Sequence, residues 1–266
     1  MRLALAFAVT FFCALPAVAN ERANRLAHAM KLDQVVGILI DEGMVHQQEL
    51  EESLLDGDGG PLFHDQVQEI YNHSWMKSRL TEAFADGMTK EQMDQAIVFF
   101  ESDLGQTIVT LENSARKAFA DEAIEEMANE AYEGTEHDSP RFELVEEYIR
   151  ANDLIDQNVQ GSLSADYNFF LGLYGDSLAE YEEVLDGLLA QKDTVTAETT
   201  TWLYSFLLLA YQPLDEVEMR ENIAFSRTET GQALNAALFK GFDEMFDGIS
   251  YRLGAAVAQV WQSSDL

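Results

Sequence analysis

The chain has 266 residues, of which 47% are hydrophobic, 11% aromatic and 24% charged. This composition is that of a folded protein with one large or two small domains, and it excludes a collagen-like chain, a low-complexity disordered chain and a small disulfide-stapled protein. The 48 acidic residues far exceed the 16 basic ones and give a formal net charge of −32, which argues against nucleic acid as a partner because phosphate backbones are repelled.

The first nineteen residues have the pattern of a secretory signal peptide. Arg2 supplies a positive start, an apolar run follows from Leu3 to Leu15, and small residues precede a predicted cleavage site after Ala19. The run is shorter than the roughly 20 apolar residues of a transmembrane helix. We therefore expect a periplasmic or secreted protein with no transmembrane segment. The cleaved chain would lack Cys13, the single cysteine, and would carry 15 basic and 48 acidic residues, a charge of −33.

Beyond the signal, apolar residues recur at the spacing of amphipathic helices. The clearest stripe places apolar side chains at i, i+4, i+7 and i+11, and consists of Met93, Ile97, Phe100 and Leu104. Alternating strand patterns and Asn-Gly hairpins between β-branched runs are absent. The sequence therefore predicts an all-α protein of about ten to twelve helices, arranged as a helical bundle or a short superhelix.

A polar segment at residues 134–140 divides the chain near its middle. Similar halves flank it at residues 21–133 and 141–264, and we predict that they are duplicated helical units joined by this linker. An offset of 126 residues aligns the second part of each half without a gap, whereas the segments that begin at Met30 and Ile149 match at an offset of 119. Whether the units pack as one body or as two is left open by the pattern.

Each half contains a helix start that is followed by a glycine. Thr89 and Gln92 form a predicted capping box in the first half, and Asp215 and Glu218 form one in the second. Isoleucine, phenylalanine and glycine then follow at equal spacing, as Ile97, Phe99 and Gly105 and as Ile223, Phe225 and Gly231. We predict that each glycine forms a corner between two helices, either by adopting a left-handed conformation or by letting a neighbouring backbone come close.

The run from Met88 to Gln106 resembles the signature of a bacterial exported family, the domain of unknown function 2059. The resemblance rests on Thr89, Glu91, Ile97, Phe99, Phe100, Ser102 and Gly105. Asp103 and Thr107 depart from it, since the family usually has proline and lysine there. The second half keeps Glu216, Ile223, Phe225 and Gly231. We interpret the halves as two divergent copies, and the resemblance implies a small exported helical domain without implying a reaction.

Patterns that would bind metals or cofactors are sparse. The serine-hydrolase elbow, the P-loop, the Rossmann fingerprint and the zinc-protease motif do not occur. Glu69 and His73 stand at i and i+4, where one helical face can bind zinc or simply carry a hydrogen bond. The loop at residues 56–61 begins like a calcium loop but lacks its later ligands. We predict no catalytic residue, no metal site and no cofactor.

An apolar run at residues 202–211 predicts a helix that is buried on all sides or that lines a ligand cavity. Aromatic residues of the second half that could line such a cavity are Phe169, Phe170, Tyr174, Trp202, Tyr204, Phe206 and Tyr211. The leading interpretation is a non-catalytic protein that binds an unknown protein or envelope component, because repeated helices present extended surfaces. The alternatives are a carrier of an apolar small molecule and an enzyme of unrecognised type. A cavity of a few hundred Å³ beside Trp202 and Tyr211 would favour the carrier.

Phe99 and Phe225 raise a separate question. Adjacent helical residues point about 100° apart, so Phe100 lies on the apolar stripe and Phe99 lies on its flank. The second half keeps the flanking aromatic as Phe225 but has Ser226 on the stripe. One explanation is that both flanking rings pack within their own units. The other is that they make equivalent contacts, either across the interface between the units or with an outside partner.

Overall fold

The computed structural model describes residues 15–175 and 178–264, which contain helices and no strand. The helices in chain order are α1 (Leu15–Ala29), α2 (Leu32–Leu54), α3 (Gly60–Ile70), α4 (His73–Gly87), α5 (Lys90–Phe100), α6 (Asp103–Phe119), α7 (Glu122–Glu133), α8 (Pro140–Ala151), α9 (Leu154–Tyr174), α10 (Leu178–Ala210), α11 (Glu216–Ser226) and α12 (Glu229–Ser264). The helices pack as a bundle, so the prediction of an all-α protein is confirmed.

The predicted signal peptide lies mostly outside the described residues, which begin at Leu15. The first described helix, α1, continues through Ala19 to Ala29 without a break. None of the helices in the described part of the chain is long and apolar enough to cross a membrane.

Buried apolar side chains form two cores. The first core is built by α1 to α5 together with α12, the end of α9 and Val109 of α6. The second core is built by α6, α7, α8, α10 and α11. Completely buried side chains occur in both, among them Leu26, Phe84 and Met245 in the first and Val145 and Met219 in the second.

The helices that follow the two corners are exchanged between the halves. α12 belongs to the second half of the chain but packs into the first core. α7 and most of the buried side chains of α6 belong to the first half but pack into the second core. The halves at residues 21–133 and 141–264 are therefore interlocked in space. The two halves thus pack as one body.

Both predicted capping boxes are present. The Thr89 hydroxyl accepts a hydrogen bond from the Gln92 N–H at 3.2 Å, and the Gln92 side chain accepts one from the Thr89 N–H at 2.8 Å. The Asp215 carboxylate accepts from the Glu218 N–H at 2.9 Å, and Glu218 accepts from the Asp215 N–H at 2.8 Å. These bonds satisfy amides that a helix start leaves free, so α5 and α11 begin at matching positions.

Gly105 and Gly231 lie in the first turns of α6 and α12, and neither has a positive φ. Of the two predicted alternatives, the left-handed conformation is therefore not the one adopted. A Cβ on Gly105 would lie 2.2 Å from the carbonyl oxygen of Phe99, and one on Gly231 would lie 2.2 Å from that of Phe225. Glycine is needed here because two backbone segments come closer than any side chain permits.

A hydroxyl group closes the turn in front of each glycine. Ser102 Oγ accepts a hydrogen bond from the Gly105 N–H at 3.1 Å, and Thr228 Oγ1 accepts one from the Gly231 N–H at 2.9 Å. Serine and threonine are good N-caps because their short side chains reach the free amides of the first turn. The corners are thus built by the same contacts in both halves.

The residue after each glycine ties the corner to an earlier helix. Gln106 donates to the carbonyl oxygen of Ala29 at 2.8 Å, and Gln232 donates to that of Ala151 at 2.9 Å. Ala29 ends α1 and Ala151 ends α8, and they stand 122 positions apart. Whereas the sequence pattern predicts an offset of 119, these paired contacts lie at an offset of 122. The same offset relates two left-handed residues that precede the next helix, Lys31 and Asp153.

Candidate functional site

The predicted motif residues mostly occupy architectural positions. Thr89 and Asp215 begin α5 and α11, and the two glycines lie at the close turns. Ile97 is 2% exposed in the first core and Ile223 is 3% exposed in the second. These residues begin helices, form close turns or pack in the cores.

Phe99 and Phe225 stack on each other across the interface between the halves. Their ring centroids are 3.9 Å apart and their planes differ by 3°. Phe100 meets Phe225 edge to face at 5.7 Å. Ser226, at the stripe position, is buried and donates to the Asn222 carbonyl oxygen at 3.1 Å. Both halves keep an aromatic residue at this flanking position, and of the two explanations for it, a contact across the interface between the units is the one observed.

An ion pair joins the end of each corner helix to an earlier helix. Arg25 of α1 binds Glu101 at 2.6 Å, and Glu147 of α8 binds Arg227 at 2.6 Å. Arg25 and Glu147 differ by the offset of 122, and Glu101 and Arg227 differ by the offset of 126. The two pairs thus stand at matching places with their charges reversed.

The histidine spacing does not produce a metal site. α3 ends at Ile70 and α4 begins at His73, so Glu69 and His73 do not share a helical face and that prediction is wrong. His64 Nε2 instead lies 3.0 Å from both carboxylate oxygens of Glu51. Across the described residues, no group of three or more His, Cys, Asp or Glu side chains is arranged to hold a metal ion.

A cleft of about 540 Å³ lies where the two cores meet, between α6, α8, α9, α10 and α12. We call it the aromatic cleft. Its aromatic wall consists of Trp202, Phe206, Phe239, Phe242 and Phe246. Its charged and phenolic groups are Glu112, Arg116, Tyr148 and Asp243. This combination of an apolar wall with a few polar groups is typical of small-molecule sites, which often lie between domains.

A second recess of about 520 Å³ adjoins the aromatic cleft. The two share the lining residues Arg116, Ser162, Ala165 and Phe246. The predicted aromatic residues are divided between these two spaces, the core and, for Tyr174, the exposed surface. Trp202 and Phe206 line the cleft, Phe169 and Phe170 line the recess, and Tyr174, Tyr204 and Tyr211 line neither.

A cluster of one acid and two tyrosines stands at one end of the cleft: Glu112 and Tyr148 are partly buried and line the cleft, whereas Tyr211 is fully buried and does not line it. The Tyr211 hydroxyl donates to Glu112 Oε1 at 2.5 Å, and Asn222 Nδ2 lies 3.5 Å from the Tyr211 oxygen. The Tyr148 ring meets Tyr211 edge to face at 5.4 Å. Burial raises the pKa of the Glu112 carboxyl, and the hydrogen bond from Tyr211 only partly opposes this effect.

Burial also governs the tyrosines of this cluster. It raises the pKa of Tyr148 and that of Tyr211, and the nearby Glu112 carboxylate adds to both shifts. Both phenols therefore stay protonated near neutral pH and act as hydrogen-bond donors. The cluster can hold a polar or charged group of a ligand while the aromatic wall covers an apolar body.

The other charged groups of the cleft differ in their pairing. Arg116 binds Glu42 through two parallel hydrogen bonds of 2.9 Å, so its charge is already compensated. Burial raises the pKa of Asp243, and the neighbouring Asp247 raises it further. Among the described residues, neither Glu112 nor Asp243 forms an ion pair with a basic side chain.

Sequence reasoning missed the cleft residues outside α10. Phe239, Phe242 and Phe246 stand at i, i+3 and i+7, a helical stripe that could have been recognised. Glu112 is one of 48 acidic residues and carries no local signature. Its importance depends on the tertiary packing that brings α6 beside α8 and α10.

One segment of the chain matches a known protein family. The model of a family described as "Uncharacterized protein conserved in bacteria (DUF2059)" matches residues 74–133, which run from the start of α4 to the end of α7. The segment includes the corner at Gly105 and supports the resemblance of this part of the chain to that family. No curated protein and no solved structure that was compared matches the chain.

Proposed function

We propose that the protein is an exported, non-catalytic carrier that holds a small molecule with an apolar body in the aromatic cleft. The observation that carries this proposal is the cleft itself, whose volume of about 540 Å³ falls within the roughly 300–1,000 Å³ of ligand pockets. It lies beside Trp202, one of the two residues at which a cavity favours the carrier over the binding of a protein or envelope component, whereas Tyr211 does not line it.

We expect the aromatic cleft to bind N-phenyl-1-naphthylamine, a neutral dye whose emission increases in apolar surroundings. Ala165 lines both the cleft and the adjoining recess, so a tryptophan there would fill the shared space. Ala165→Trp is expected to weaken dye binding at least tenfold, as measured by fluorescence titration.

The matched control is Ala236→Trp, because Ala236 is exposed on α12 and does not line the cleft. This variant is expected to bind the dye as the unchanged protein does. Equal binding by all three proteins would place the dye elsewhere, and the absence of saturable binding would contradict the carrier proposal. Capture of a protein or envelope component by a chain that binds no dye would support the other interpretation.

We also propose that the protein is exported and cleaved after Ala19. The support is the sequence pattern of residues 1–19 alone. The intact mass of the protein isolated from the periplasm is expected to correspond to a chain that begins at Asn20. Ala19→Arg, which places a large charged residue directly before the cut, is expected to retain the uncleaved mass. A periplasmic chain that begins at Met1 would contradict cleavage.

We further propose that the halves are two divergent copies of one helical unit. The support consists of the paired capping boxes, the paired close turns at Gly105 and Gly231, and the matching contacts of Gln106 and Gln232. Duplication accounts for the interlocked cores, because each copy contributes its post-corner helix to the other. The aromatic cleft lies at the resulting junction, where neither copy alone would enclose it.

A further inference from the structure

The charge of the aromatic cleft is unbalanced. It contains the acids Glu112 and Asp243 and the base Arg116, and the base already binds Glu42. Both acids are partly buried. Withdrawing a carboxylate from water without a basic partner is costly, because the ionised group loses hydration. A positively charged ligand group would restore the balance, whereas an anionic one would face two further negative charges.

The acid and tyrosine cluster stands at positions where the other half of the protein is apolar. With the offsets established by the corners, Glu112 corresponds to Leu238 and Tyr148 corresponds to Leu26. Tyr211 and Asn222 complete the cluster in the second half, and alanine stands at both corresponding positions of the first half. The first core, in which Leu26 is fully buried, shows that these places pack well with apolar side chains. Polar residues introduced at such places are more simply explained by a ligand than by folding.

We infer that the aromatic cleft selects a hydrophobic amine, whose ammonium group binds Glu112 while its apolar body lies against Trp202, Phe206 and Phe242. This inference rests on the carrier proposed above and adds the chemical class of the ligand. The aromatic wall contributes in the same direction, since ring faces attract cations. The protein's net charge of −32 also favours the approach of a cation over that of an anion.

The test uses 1-naphthylmethylamine and 1-naphthylmethanol, which share a ring system and differ in the ammonium or hydroxyl head. Each is titrated against the complex of the protein with N-phenyl-1-naphthylamine, and displacement of the dye gives its affinity. The amine is expected to bind at least tenfold more tightly than the alcohol. Glu112→Gln is expected to abolish this preference while alcohol binding changes less than about twofold.

Glu126→Gln is the matched control, because it removes one negative charge from an exposed position on α7. It is expected to keep the preference for the amine.

Equal affinities of amine and alcohol for the unchanged protein would overturn the inference and leave the carrier proposal standing, since the dye still binds. A loss of both ligands in a folded Glu112→Gln protein would also overturn it, because Glu112 would then only maintain the cleft. If Glu112→Gln does not fold, Asp243→Asn must lower the preference for the amine, and an unchanged preference would overturn the inference.

Discussion

Replacement of Gly254 by alanine is expected to lower the free energy of unfolding by about 3 kcal/mol or more. A Cβ on Gly254 would lie 2.0 Å from the carbonyl oxygen of Phe169, and one on Gly172 would lie 2.0 Å from that of Tyr251. Both oxygens belong to the backbone of the facing helix, so α9 and α12 must separate before either methyl group fits. Urea denaturation of the variant and the unchanged protein measures the loss.

Gly187→Ala is the matched control for this contact. Gly187 lies within α10, and a Cβ there would meet no atom within 4 Å. The substitution is expected to raise stability by about 0.4–1 kcal/mol, because alanine restricts the unfolded chain. The double variant Gly172→Ala with Gly254→Ala is expected to lose less than the sum of the single losses, since one separation accommodates both methyl groups. Additive losses would contradict a shared close contact.

The approach of α9 and α12 also shapes the aromatic cleft. A Cβ on Gly161 would lie 2.7 Å from Asp243 Oδ1, and Ser164 Oγ donates to Asp247 Oδ1 at 2.8 Å. These contacts hold α9 against α12 along the segment that lines the cleft. The glycines thus set the distance between one wall of the cleft and the helix that carries Phe239, Phe242 and Phe246.

Local signals in the sequence were sufficient for the helix starts and for the fold class. A capping box acts over four residues, so Thr89 with Gln92 and Asp215 with Glu218 could be recognised without tertiary information. The corner glycines were also recognised, but not their conformation. Glycine serves a left-handed backbone and a close approach equally well, and only the position of the Phe99 carbonyl distinguishes the two.

The exchange of helices between the cores could not be predicted. The apolar stripe of α12 specifies that one face is buried, but it does not specify which core receives that face. The left-handed conformation of Lys31 could not be predicted either, because lysine seldom adopts a positive φ. The aromatic cleft depends on the exchange, so its residues from α6 and α12 could not be joined to Trp202 from sequence alone.

Glu112 shows what comparison within the chain adds. As a single acid it resembles dozens of others, but its counterpart in the other half is Leu238. The offset of 126 that the sequence pattern predicts already pairs Glu112 with Leu238. A register fixed by structural contacts was required for Tyr148, because the upstream offset of 119 does not pair it with Leu26. With the offset of 122, Tyr148 corresponds to Leu26, and the polar cluster becomes visible as a departure from an apolar pattern.

Gly105→Ala and Gly231→Ala are each expected to lower the free energy of unfolding by about 3 kcal/mol or more, and the two losses are expected to agree within about 1 kcal/mol. The reason is that both added Cβ atoms would lie 2.2 Å from a backbone oxygen, that of Phe99 or Phe225. Because these two phenylalanines stack on each other, a shift of either turn disturbs the same junction between the halves.

Gly37→Ala is the control, since a Cβ on this residue of α2 would meet nothing within 4 Å. Urea denaturation of this variant is expected to show no loss in the free energy of unfolding. Tolerance of one corner substitution together with a large loss from the other would contradict the equivalence of the corners, and with it the strongest structural support for duplication.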